Sequence, residues 1–183
     1  LVVKNLKRFR AAVHSAAPNV AFGTDTYPAS MALTAGHDYR RWGEMADFAS
    51  PLVSHISAFV CNTFIEWARF LQGEVDNLSE EDALELVYRF TGYDGMGLPR
   101  TIAEYKAEEA ETLAYRVPTD DLVLRDLVKA KLLLPKEMPS YPIIHGEGWP
   151  RSMIDRIVTE SRRLGHNGIV WQGTSELMSY DFQ

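Results

Sequence analysis

Val3, Leu6, Phe9 and Val13 fall on one side of a helical projection of the chain's start, together with Arg10. Lys4, Lys7 and Arg8 fall on the other. This is the 3.6-residue period of an amphipathic helix, predicted over 3–16 and ended by Pro18. "NVAFGTDTYP" predicts a short strand closing in a Gly-Thr-Asp turn. Residues 30–48 predict helix in two pieces, broken near Gly36 and Gly43. A wider apolar face, from Leu52 through Ile56, Phe59, Phe64 and Trp67 to Leu71, predicts a central core helix over 51–72. Pro51 suits its first turn and Gly73 its end.

Ser79 is a good N-cap, and Glu80, Glu81 and Asp82 behind it suit the positive end of a helix dipole, so a helix runs on to Gly92. "GYDGMGLP" (92–99) is a glycine-rich connection whose spacing matches neither a dinucleotide fingerprint nor a phosphate-binding loop. Thr101 and Glu104 form a capping box for a helix to about Glu111. Leu113, Tyr115 and Val117 then alternate with Ala114 and Arg116, the period of a half-buried strand. Pro118 to Asp121 predicts a turn, and Leu122 to Leu134 is an apolar run compatible with either state. An extended piece around Ile143 and Ile144 precedes a clear helix over 150–164, with Gly165 just past its end. "GIVW", "QGTS" and "ELMSYDF" close the chain as a strand, a turn and a second strand.

Helices therefore fill 1–112 and strands gather in 113–183. The expected architecture is one α+β domain over 1–183, a helix-rich N-terminal part packed on a small, mainly antiparallel sheet formed late in the chain.

Composition narrows the setting. With 46% hydrophobic and 24% charged residues, the 183-residue chain can bury a core and keep an ordinary polar surface. A net charge of −6 opposes a general nucleic-acid-binding face. The one cysteine, Cys61, excludes an internal disulfide, is placed as a buried structural thiol, and suits a reducing, cytoplasmic compartment. No window is long and apolar enough to span a bilayer, and the N-terminus lacks the order of a secretory leader, so no membrane association is expected.

Candidate chemistry is sparse. His14, His37, His55, His145 and His166 stand at no metal-ligand spacing, so no metal is expected. There is no G-x-S-x-G elbow for a serine nucleophile. His145, in "IIHGEG", is the most suggestive imidazole, because a strand ending in His-Gly leaves it at a sheet edge. Glu176, ahead of Leu177 and Met178, is a lone carboxylate at the start of the last strand.

The order "RRLGHNG", "GIVW", "QGTS", "ELMSYDF" resembles the C-terminal half of the ADP-ribosyltransferase superfamily, especially its phage and mobile-element members. "LAYRVPTDDLVL" is similar to that family's mid-domain strand. The resemblance implies NAD as substrate, Glu176 as catalytic carboxylate and transfer or hydrolysis of ADP-ribose. It further implies Arg116 or His145 as a nicotinamide- or phosphate-side contact, Tyr115 or Trp171 as a stacking surface, and a protein target. One carboxylate near the ribose stabilises the oxocarbenium-like charge that develops when the glycosidic bond to nicotinamide breaks. The alternative is a non-enzymatic acidic interaction protein of a phage or other mobile element, with an accessory or anti-defence role.

Overall fold

A computed structural model describes residues 2–54, 60–105, 117–145 and 149–172. The chain is helix-rich α+β, as expected. Its described elements are α1 (Val2–Ala16), β1 (Gly23–Thr26), two 3-10 turns (Ala32–Ala35 and Tyr39–Glu44), β2 (Phe48–Pro51), α2 (Asn62–Glu74) and α3 (Glu80–Thr91). There follow α4 (Ile102–Tyr105), α5 (Thr119–Leu133), β3 (Ile143–His145), α6 (Arg151–Arg163) and β4 (Val170–Gln172).

The strands correct the expected antiparallel sheet: they pair parallel. β1 runs beside β2 from Gly23 opposite Phe48 to Thr26 opposite Pro51, and β3 beside β4 from Ile143 opposite Val170 to His145 opposite Gln172. Parallel bridges Ala49 to Ser140 and Leu52 to Ile143 join the pairs. Ala49 N–H donates to Pro139 O at 3.0 Å, Tyr141 N–H to Ala49 O at 2.9 Å, and Val53 N–H to Ile143 O at 3.4 Å. The strands thus follow one another in chain order, β1-β2-β3-β4. The physical reason is the connections: each strand returns through helical structure, which brings it back in the same direction, whereas a tight turn would reverse it.

Three further expectations change. Strands do not gather late, since β1 and β2 lie within the first 51 residues. Phe48–Pro51 is strand where a helix from 51 was expected, and α2 begins only at Asn62. A buried parallel strand is apolar on both faces, so it looks like the start of a buried helix. Gly23-Thr24-Asp25 is strand, not turn. At Gly23 a Cβ would lie 2.1 Å from the Phe48 ring, so a larger residue there would force that ring aside. The run from Leu122 resolves as α5.

The helical ends follow their local chemistry. Ser79 Oγ accepts from Asp82 N–H at 3.0 Å, and Gly92 ends α3 at φ 77°. At α4, Glu104 departs from the predicted capping box, its carboxylate accepting from Arg100 N–H at 2.9 Å. α2 packs on α3 and α5 on α6. One core cluster joins Val53, Cys61, Phe64, Leu84, Leu122 and Ile144; a second surrounds Tyr39, Trp42, Met45 and Ala49, with Val3 and Leu6 of α1 laid against it. Cys61 is buried as expected, and burial pushes its thiol up to about 12. Asp47, just before β2, holds α1 in place by accepting from Arg10 Nε at 3.0 Å and meeting His14 Nε2 at 2.8 Å, while Phe22 N–H donates to it at 2.7 Å.

Asp126 of α5 is fully buried and ties three segments together. It accepts from Ser30 N–H at 3.0 Å, from the Ser30 hydroxyl at 2.8 Å and from the Tyr93 hydroxyl. Burial raises its carboxyl above the usual range, and these donors act against that rise. We expect Asp126→Ala to cost about 3 kcal/mol in urea unfolding, because the buried Tyr93 hydroxyl and the two partly buried Ser30 donors lose their acceptor together.

His166 closes the other end. Its Nε2 lies 3.3 Å from Leu127 O, which can only accept, so Nδ1 accepts from the Ser140 hydroxyl at 2.8 Å. Burial lowers this imidazole to about 4 from 6.5, so the folded state holds it neutral where the unfolded chain would bind a proton. Its contribution is therefore complete above pH 6.5 and is lost as the pH falls towards 4. In paired denaturation curves, the wild type should lose up to ~3 kcal/mol more than His166→Gln across that window.

Candidate functional site

Parallel strands bring all their carboxyl ends to one edge, the place where such sheets commonly take ligands. Here that edge collects Asp25 and Thr26 of β1, Ser54 beyond β2, His145 of β3 and Gln172 of β4. Register separates two faces. Asp25 stands opposite Ser50, Leu52 opposite Ile143 and His145 opposite Gln172, so these alternate positions share one face. Asp25, His145 and Gln172 on it are exposed. The other face carries Ala49, Val53, Ile144 and Trp171, which pack into the helix-covered core.

The edge is held rigidly. The Thr26 hydroxyl donates to Tyr39 Oη at 2.6 Å, and Tyr39 donates to Tyr27 O at 2.7 Å. Tyr27 N–H donates to His37 Nδ1 at 3.1 Å, which places the neutral ring's proton on Nε2. Burial lowers the His37 pKa, favouring that neutral form. Ser54, itself buried, bridges β2 and β3: its hydroxyl donates to Ile143 O at 3.3 Å and accepts from His145 N–H. His145 is therefore set by its own backbone.

Of the residues singled out in the sequence, His145 stands on the exposed face at this edge. Trp171 is in β4 one residue before Gln172 but points to the opposite face, its ring packed with the core. Glu176, Arg116 and Tyr115 lie outside the described residues. Asp25, Ser54 and Gln172 were not picked out. Asp25 had a usable signal: taken as strand rather than turn, "GTDT" puts a carboxylate next to a strand's carboxyl end.

The arrangement offers a carboxylate acceptor, an imidazole and an amide along one edge, suited to the hydroxyl groups of a polar ligand and to proton transfer. Among the described residues no group of three or more His, Cys, Asp or Glu could hold a metal ion, and no helix is long and apolar enough to cross a membrane. No protein-family model matches the chain, and comparisons with curated proteins and with solved structures return no match.

Ser54→Ala should leave His145 N–H without its acceptor, lower stability by about 1–2 kcal/mol, and speed hydrogen exchange at that amide. Unchanged exchange would show that the bridge does not hold the β3 end.

Proposed function

We propose that the carboxyl edge binds a sugar- or ribose-bearing ligand and that the chain acts at its glycosidic bond, with NAD the ligand singled out by the resemblance to ADP-ribosyltransferases. The observation that carries this reading is that Asp25, His145 and Gln172, each exposed, lie on one face of the sheet near the carboxyl ends of parallel strands, with His145 directly beside Gln172. Hydroxyl-rich ligands are recognised by such carboxylate and amide groups, and cleavage at an anomeric carbon needs a carboxylate to meet the developing positive charge.

Glu176 follows Gln172 by four residues in sequence, and the resemblance makes it the catalytic carboxylate. Gln172 and the adjacent His145 take a ribose hydroxyl and a phosphate or nicotinamide group, and Asp25, two strands from His145, meets hydroxyls at the other end of the ligand. Arg116 and Tyr115 are the further contacts implied by the resemblance.

Millimolar NAD should raise the melting temperature, as any ligand bound to the native state does. Asp25→Asn should abolish that rise while leaving the ligand-free melting temperature nearly unchanged, because Asp25 is exposed. Glu176→Gln should retain binding and lose nicotinamide release by about a hundredfold or more. The absence of any shift with NAD or ADP-ribose would reject NAD. A shift unaffected by Asp25→Asn would move the site away from this edge.

A further inference from the structure

A cavity of about 320 Å³ lies between the 29–40 segment that follows β1 and residues of α3 and α5. None of the exposed edge residues Asp25, His145 and Gln172 lines it. Its walls are largely apolar. Leu33 and Phe90 are 68% and 71% exposed, large side chains left in water at its lining, and Leu133 stands with them.

Lys129 gives this cavity a charged group. The side chain is half-buried, yet among the described residues its ammonium makes only long contacts to neutral oxygens, 3.4 Å to Ser30 Oγ and 3.4 Å to Thr91 O. Among the described residues no carboxylate oxygen forms an ion pair with it. Asp126 lies nearby, but that carboxylate takes its hydrogen bonds from Ser30 and Tyr93. Burial lowers the Lys129 pKa despite the attraction of Asp126, as expected of an ammonium short of partners. A partly desolvated charge is normally paired. Ser30 cannot serve an incoming acceptor, because both its N–H and its hydroxyl already donate to Asp126. Arg40, also lining the cavity, is engaged by Asp38 at 3.1 Å.

We propose that this cavity binds an amphipathic carboxylate, an aliphatic or aryl acid whose carboxylate accepts from Lys129 Nζ and whose apolar body covers Leu33, Phe90 and Leu133. The ligand completes the hydrogen bonding of the ammonium and removes exposed apolar surface in one step. A neutral apolar molecule would do only the second, and a small inorganic anion only the first.

Octanoate is a suitable probe, with 1-octanol as its neutral counterpart, both followed by isothermal titration calorimetry on the full chain. Octanoate should bind with one site per chain and 1-octanol about tenfold more weakly, reflecting a charge-assisted hydrogen bond. Lys129→Gln should remove that preference. Leu33→Ser with Phe90→Ser, at two exposed positions, should weaken octanoate about tenfold through lost apolar contact, the variant's fold being checked by its melting curve because Phe90 also packs edge-to-face on Trp67. This double variant also carries the test should Lys129→Gln fail to fold. No octanoate binding, equal binding of acid and alcohol, an unchanged preference in folded Lys129→Gln, or unchanged affinity in the double variant would each overturn the proposal.

Discussion

The seam between β2 and β3 is the constraint on which the rest depends. An excursion of 91 residues, 52–142, which includes α2, α3, α4 and α5, separates these strands in sequence. A few parallel backbone bonds close it, with Ala49 both donating to Pro139 O and accepting from Tyr141 N–H. Without the seam there would be two isolated pairs of short strands, each too small to hold itself flat against helices. With it, four carboxyl ends meet along one edge, and Asp25 comes to share a face with His145. Ser54 reinforces the seam at the end where the exposed polar groups stand.

How far this was legible in the sequence depends on what each element shows to water. α1, α3 and α6 carry one polar face and clean end signals, so Ser79, Gly92 and Gly165 mark their boundaries well. β2 has no polar face to give it away. Ala49, Ser50 and Pro51 are all buried, so period two never appears, and the apolar run merges with the helix beyond. β1 is hidden for the opposite reason. Its Thr and Asp residues look like a turn, although Thr26 is buried with its hydroxyl satisfied by Tyr39. The parallel sense was equally hidden, because strand direction is decided by what the connecting segments do in space. His145 could be found from its own neighbours, "IIHGEG". Asp25 could not, since its significance rests on recognising β1 first.

Buried polarity is distributed with a consistent logic. The core places a carboxylate, Asp126, and an imidazole, His166, where hydrophobic residues would pack without penalty. Each joins segments that no continuous element connects: Asp126 links α5 to the loop after β1 and to Tyr93, and His166 links the end of α6 to α5 and the approach to β3. Apolar contacts tolerate small slips, whereas a directional hydrogen bond accepts one arrangement. These two groups therefore set how the helical layer is registered against the sheet, and that registration places the carboxyl edge.

The Ser30–Asp126 bond also has a kinetic meaning. The two residues are 96 positions apart. A contact of that separation closes a very long loop, whose entropy must be lost before the bond returns anything. α3 and α6, built from neighbouring residues, can form early and cheaply. The segment after β1 cannot settle until α5 exists and has docked. Tyr27, His37 and Tyr39, which shape the β1 end of the exposed edge, belong to that late-settling segment. On the folding path the β1 end of the carboxyl edge is therefore among the last parts of this protein to take its final shape, so a partly folded chain would already hold much of its helical layer while that edge was still unformed.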